Sequence, residues 1–374
     1  MKRYLATSAA LALASGSAMA SGLDRTGQPI GIIFEEGTYA EFSIATTSAD
    51  VSGNDLTTLN PFGSATGDVG DRFNMFGAGY KRDINEQLSF AVIFDQPWGV
   101  DIAYPVGSSL LLGGTTAEAN SNAVTALLRY RFNENFSVHG GIRYQEIDGE
   151  INLAGGAYAS IGSQYNVRVN KDGAFGWVVG LAYEVPEIAL RAALTYSSEI
   201  EHDFSLNETF ATGASAGTST KTKTPQSVNL DLQTGIAKDT LLFGNIRWAE
   251  HSVTNLVVPG LSSQAGRSVD LIDLDDSFTY TIGVGRKFNE NWSGSLAFVY
   301  EDADGDNRVS PLAPTQGMKA IRLGVQYQQD KMKISAGIRY TELGDAFASP
   351  GGTPVAYFQD NTAVSFGLKV GYSF

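Results

Sequence analysis

From residue 39 to the last residue, apolar and polar side chains alternate in short runs. The final run shows the pattern most cleanly: Val364, Phe366, Leu368, Val370, Tyr372 and Phe374 form one file, and Ser365, Gly367, Lys369, Gly371 and Ser373 form the other. That spacing is strand periodicity. A strand this long and apolar needs a partner for its backbone and cover for its face, and a barrel closed in lipid supplies both. Runs of this kind fall near 39–48, 73–82, 87–96, 122–132, 136–146, 174–184, 189–198, 226–236, 241–251, 277–288, 292–301, 318–328, 332–342 and 362–374, fourteen in all. Six short turns join neighbouring runs, among them Phe132 to Phe136 (FNENF) and Phe288 to Trp292 (FNENW), with turn-forming residues bracketed by aromatics. Seven longer connections lie at the opposite end. An even strand number puts both chain ends on the short-turn side, which is periplasmic in outer-membrane barrels. The predicted fold is all-β: a 14-stranded antiparallel transmembrane β-barrel with a short N-terminal plug segment.

The aromatics fix the level of the membrane. Phe136, Val138, Gly140, Ile142 and Tyr144 make one apolar file, and Trp292, Gly294, Leu296, Phe298 and Tyr300 another. Each begins and ends on an aromatic ring. Eight residues at ~3.3 Å, tilted by ~40°, climb roughly 20 Å, close to the height of an apolar band between two aromatic girdles. Tyr196, Trp248 and Tyr340 continue the upper girdle.

Composition narrows the class further. The chain is 43% hydrophobic with a mean hydropathy of -0.09, and beyond residue 20 it has no apolar run of 18 residues, which excludes spanning helices. Residues 1–20 read as a secretory signal peptide: Lys2 and Arg3, an apolar stretch through Leu11 to Ala14, then Ala18 and Ala20 before a mature start at Ser21. Removing Lys2 and Arg3 moves the formal charge from -14 to -16, which disfavours nucleic acid as a partner. Without cysteine there is neither a disulfide frame nor a thiolate metal site. The expected layout is a leader over 1–20, a plug over 21–37 and a barrel over 38–374.

No catalytic constellation stands out. His139, His202 and His251 lie on different segments, without a zinc-protease or nucleophile-elbow motif, so no enzyme is predicted. The acidic stretch EDADGDNR from Glu301 starts like a calcium loop, but its glycine falls at Gly305 and the twelfth position is Ala313, so it reads as a solvated loop. No metal or cofactor is expected.

Two outer connections are unusually apolar. Pro97 to Gly114 carries Trp98, Val100, Ile102, Tyr104, Leu110, Leu111 and Leu112, and Asn255 to Leu261 adds Leu256, Val257 and Val258. These residues either pack on one another to seal the barrel mouth or bind an apolar ligand, and both roles are compatible. A fatty chain suits them: burying ~12 methylenes at ~0.8 kcal/mol each contributes about 10 kcal/mol before the costs of binding. Arg143, Arg247, Arg322 and Arg339 face inward in the outer half of the barrel. They either hold a carboxylate head group or pair with Asp95, Asp231, Glu184 or Glu301.

Three stretches carry a resemblance: SGLDRTGQ from Ser21, DQPWGVDIAYP from Asp95 and LRAALTYSSEIEHDF from Leu190. With the fourteen strands, the chain resembles the long-chain fatty-acid outer-membrane transporter family, which also includes aromatic-hydrocarbon uptake channels. The resemblance implies a barrel plugged by its N-terminal segment, capture of substrate by apolar outer loops, a tighter site in the lumen, and release sideways through the wall. The family's plug usually contains an Asn-Pro-Ala element; here Asn60 and Pro61 form the sole Asn-Pro pair and fall in the first outer connection, so the plug is short. The expected role is passive uptake of long-chain fatty acids or related hydrophobic compounds by a monomer in the bacterial outer membrane. Its other partners are membrane lipids and the barrel assembly machinery, which reads the C-terminal strand. The alternatives are a hydrocarbon channel and a non-conducting surface-recognition barrel.

Overall fold

The computed structural model describes residues 23–161, 164–272, 274–302 and 307–374. The leader and the centre of the acidic stretch, 303–306, lie outside the described residues. Fourteen strands form the wall: β1 (Thr38–Asp50), β2 (Phe73–Asp83), β3 (Leu88–Asp95), β4 (Thr116–Arg131), β5 (Phe136–Ala154), β6 (Gln164–Val185), β7 (Leu190–Ser197), β8 (Ser227–Ala237), β9 (Thr240–Ala249), β10 (Ser277–Lys287), β11 (Trp292–Glu301), β12 (Met318–Gln329), β13 (Met332–Leu343) and β14 (Thr362–Ser373). Each pairs antiparallel with its sequence neighbours. The barrel closes between β1 and β14, from Tyr39 opposite Ser373 to Asp50 opposite Thr362. Among the described residues no helix is long and apolar enough to cross a membrane.

The alternation read from the sequence is realised as two faces. Phe136, Val138 and Ile142 point outward, as do Trp292, Leu296, Phe298 and Tyr300, and the final file from Phe366 to Phe374 is exposed along its length. Inward positions are polar and buried: Thr47 and Ser365 meet across the closing pair with their hydroxyl oxygens 2.8 Å apart. Arg129 pairs with Glu184 deeper in the lumen.

Several strands run further outward than the apolar pattern marked. β4 starts at Thr116, β5 continues to Ala154 and β6 begins at Gln164, while β7 and β8 are prolonged by a hairpin of Ile200–Phe210 and Ser215–Thr224. Above Tyr144, Trp177 and Tyr196 the outward file turns to Glu146, Asp148, Glu150, Arg168, Lys171, Glu199, Glu201 and Asp203. Charged residues outside and apolar residues inside still form strands, but in water.

The outer connections close over the mouth. Short strands Gly53–Asp55, Arg308–Val309, Ala346–Ala348 and Ala356–Phe358 form a separate small sheet, and a helix, α1 (Pro259–Ala265), lies beside the hairpin. Val51, Val69, Ile102, Tyr104, Leu112, Val258, Leu261 and Phe358 make the cap's core. Below it, the segment preceding β1 occupies the lumen: Ile30, Ile32 and Ile33 pack on Ala91, Ile93, Leu127 and Val178. Phe34 lies between the guanidinium groups of Arg129 and Arg191, each 4.6 Å from its ring centre.

Candidate functional site

Between the cap and the tip of the lumenal segment lies an apolar cavity. Its wall comes from many parts of the chain: Leu23, then Trp98 and Val100 beyond β3, Ala117 and Ala119 of β4, Ile147 and Ile151 of β5, Val169 of β6, His202, Phe204, Thr222 and Thr224 of the hairpin, and Thr254, Leu256, Leu271 and Leu312 of the cap. The apolar lining is that of a pocket for a hydrophobic molecule.

One side of this cavity is lined by polar groups without protein partners. The indole Nε1 of Trp98 and the hydroxyls of Thr222 and Thr254 are buried and make no hydrogen bond to the described residues. Behind them His251, fully buried, stands edge-on to Trp98 with ring centres 5.7 Å apart, and neither of its nitrogens is bonded. Burial lowers the His251 pKa to about 4, so the ring is neutral at ordinary pH. Unpaired donors buried together are costly unless a ligand or water satisfies them.

The lumenal segment and a break in the wall meet at the cavity floor. β2 and β3 pair from Asp83 opposite Ser89 up to Ala78 opposite Phe94, and there the ladder ends. The chain turns inward through Gln96, Pro97 and Trp98 and resumes as a strand at Gly99–Ala103, paired with β4 alone. The residue inserted there leaves the wall open beside Phe73–Gly77, up to a bridge between Gly70 and Ile102. From inside, the N-terminal segment adds to the displaced strand: Arg25 N donates to Pro97 O at 2.8 Å and Gly99 N to Leu23 O at 2.9 Å. The Arg25 guanidinium covers Phe73 at 4.5 Å. Asp24 accepts from Arg247 Nε at 2.6 Å and Thr26 donates to Asp95 at 2.9 Å, anchoring the segment to opposite sides of the lumen.

Of the apolar loop residues singled out in the sequence, Trp98, Val100 and Leu256 line the cavity. Ile102, Tyr104, Leu112 and Val258 are cap core, with Tyr104 donating to Pro311 O at 2.8 Å; Leu111 packs against that core and Leu110 is exposed. None of the four arginines lines the apolar cavity. Arg143 donates to Thr125 at 2.8 Å, Arg247 holds the lumenal segment and Arg339 donates to Met318 Sδ at 2.7 Å. Arg322 and Arg247 line a second, more polar cavity that also touches Gln28, Phe34, Arg191 and Asp231. Thr222 and Thr254 were not marked by sequence reasoning, because nothing local distinguishes a threonine that ends beside an indole from any other, and His251 was weighed there only as a catalytic residue.

The three histidines have separate settings. His139 is 3.0 Å from Thr195 and faces Phe34, His202 lies 3.0 Å from Asp172, and His251 backs Trp98. Among the described residues no cluster of His, Asp or Glu has the geometry to hold a metal ion.

A family model described as outer membrane protein transport protein (OMPP1/FadL/TodX) matches residues 2–374. A Pseudomonas aeruginosa FadL homologue superposes with a TM-score of 0.77 at 16% identity, covering 97% of this chain and 98% of that one. The Pseudomonas putida toluene transporter TodX gives 0.67 at 12% identity over 97% of both chains, and the Ralstonia pickettii toluene transporter TbuX gives 0.64 at 12% over 91% and 90%. No curated protein sequence matches the chain.

Proposed function

Because the chain belongs to the outer membrane protein transport family and is a channel for hydrophobic substrates in the outer membrane, we propose that its substrates are long-chain fatty acids or flexible amphiphiles like them. The observation that carries this reading is the cavity beneath the cap, apolar along most of its wall and bearing the unpaired donors of Trp98, Thr222 and Thr254 on one side. A hydrocarbon tail takes the apolar wall. The head group accepts hydrogen bonds from the indole N–H and the two hydroxyls, so neutral donors, rather than the four arginines, recognise it. Those bonds contribute more when the acceptor is a carboxylate.

From the cavity the substrate passes to the break between β2 and β3, which leads to the bilayer beside Phe73. Leu23–Arg25 occupies that route, so displacement of the segment accompanies passage. Arg322 and the polar cavity below receive the head group when the molecule goes deeper.

The test is uptake of labelled oleate by cells lacking this protein, with and without the gene restored at matched surface expression. Restored uptake supports the reading. Uptake of toluene without oleate assigns the channel to hydrocarbons instead, and loss of neither refutes both.

A further inference from the structure

The wall has a second interruption, between β6 and β7, unrelated to the break beside β3. The two strands pair from Val185 opposite Leu190 to Val178 opposite Ser197, and their outward parts pair again from Val169 opposite Leu206 to Asn166 and Tyr165 opposite Thr209 and Phe210. Between, over 170–177 and 198–205, the ladder lapses although the register on both sides is the same, and one backbone bond, from Ser198 N to Trp177 O at 2.9 Å, remains at its lower end.

The cause lies in two changes of strand parity at different heights, one at a bulge. On β6 the inward residues are even-numbered at Ala182 and Val178 and odd-numbered at Val169, Val167 and Tyr165; the change falls at the bulge opposite Asp148, where the β5 pairing shifts between Ile147 and Gly149. On β7 the inward residues are odd-numbered at Ala193, Thr195 and Ser197 and even-numbered from Ile200 onward; that change falls at Ser198 and Glu199. Between the two changes, residues facing one another in the shared register point to opposite faces, so no regular ladder forms there.

Side chains stitch what the backbone leaves open. Trp177 N donates to Ser198 Oγ at 2.9 Å, Asp203 N to the Asp172 carboxylate at 3.3 Å, and Asn170 Nδ2 to Ser205 Oγ at 3.2 Å. At the centre, Ile200 fills the space over Gly176: a Cβ on Gly176 would lie 2.6 Å from Ile200 Cγ1. Behind the seam His202, Phe204, Val169 and Gly149 line the apolar cavity. In front of it Phe175 and Trp177 stand exposed at the upper girdle, with Lys171 and Glu201 above them. The seam thus joins the cavity to the level where lipid tails meet head groups.

We propose that this seam is a lateral inlet, through which a flexible amphiphile dissolved in the outer leaflet threads its tail past Ile200 into the cavity. The proposal rests on the substrate reading above for what is carried, but not for where the wall parts. The weak element is suited to its role: side-chain bridges and one aliphatic stopper part without breaking a backbone ladder.

A disulfide tests it, since the chain has no cysteine of its own. In the full-length double variant Gly176→Cys/Ile200→Cys the two positions are within reach of a disulfide. Thr47→Cys/Ser365→Cys, in the intact β1–β14 ladder, serves as the control lock. In proteoliposomes, diazirine-labelled palmitate dissolved in the bilayer is expected to crosslink to cavity residues at least fivefold more in the reduced seam variant than in the oxidised one, and oleate uptake by cells to follow the same order. The control lock changes neither. Equal crosslinking in oxidised and reduced forms, or none in either, overturns the inlet. Lock-dependent crosslinking without oleate uptake upholds the inlet and refutes the fatty-acid reading, which separates the two failures. If the double variant does not assemble, Ile200→Gly alone is expected to raise crosslinking above wild type, and an unchanged level again overturns the proposal.

Discussion

Replacing Glu208 by glutamine should loosen the lid of the apolar cavity without disturbing the barrel. Glu208 is completely buried on the Ile200–Phe210 strand, above the level where the outward file turns charged. Its carboxylate accepts four hydrogen bonds: from Tyr165 Oη at 2.7 Å, Thr218 Oγ1 at 2.5 Å, and the first amides of α1, Gly260 N and Leu261 N, both at 2.8 Å. It therefore fastens α1, and with it Leu256, Val258 and Leu261, to the hairpin. Each hydrogen bond to a charged acceptor contributes about 1.5–3 kcal/mol. Glutamine keeps one acceptor oxygen and turns an N–H toward a donor, so about two bonds are lost and the net cost is roughly 3 kcal/mol for opening the lid. By 1.4 kcal/mol per tenfold, amide exchange at 256–265 should accelerate about a hundredfold. Amides of the β1–β14 ladder should keep their protection. The pH dependence has a definite sign. Burial alone would raise the carboxyl's pKa, but the four hydrogen bonds outweigh it and the net shift is downward. The stabilisation is then fully present above the ordinary glutamate range and is lost as pH falls through the lowered value. Wild type and Glu208→Gln exchanging at the same rate over 256–265 would refute the reasoning.

Three further outcomes are expected. Trp98→Phe keeps the ring but removes the Nε1 donor, and should weaken oleate binding about tenfold, the worth of one hydrogen bond to a charged acceptor, while leaving toluene binding unchanged; titration calorimetry in detergent reads both. Asp24→Asn removes one partner of the buried pair with Arg247 and should cost the lumenal segment roughly 3 kcal/mol of anchoring, seen as faster proteolysis near residue 25 and larger single-channel conductance. His251, lowered by burial to about 4, must charge when the cap opens, so cap stability should decline as pH falls from about 6.5 toward 4, by up to about 3 kcal/mol. His251→Phe should flatten amide exchange of 254–261 across that window, leaving the lower-pH loss due to Glu208.

The alternation of Val364 to Phe374, and of thirteen runs like it, determined the barrel: strand number, inward and outward faces, girdles and short turns all follow from a period of two, which is local and needs no knowledge of partners. The same reading stopped short at Glu146, Ala174 and Ser198, because above the lipid the outward residues become charged and the apolar file that marks a membrane strand disappears. It placed Arg143, Arg247, Arg322 and Arg339 inside the barrel, since facing is set by parity. It left open whom they meet, since Arg247 finds Asp24 across 223 positions of chain. Likewise Ile102, Leu112, Val258 and Leu256 are equally apolar and all enter the cap's core, and it is the folding of the cap that brings Leu256 of the four to the cavity wall. The cavity draws on segments from Leu23 to Ala313, so its shape and its unpaired donors arise from tertiary contacts alone. The seam is of the same kind: each of the two strands changes parity once, and only the relative height of the two changes prevents the wall from closing.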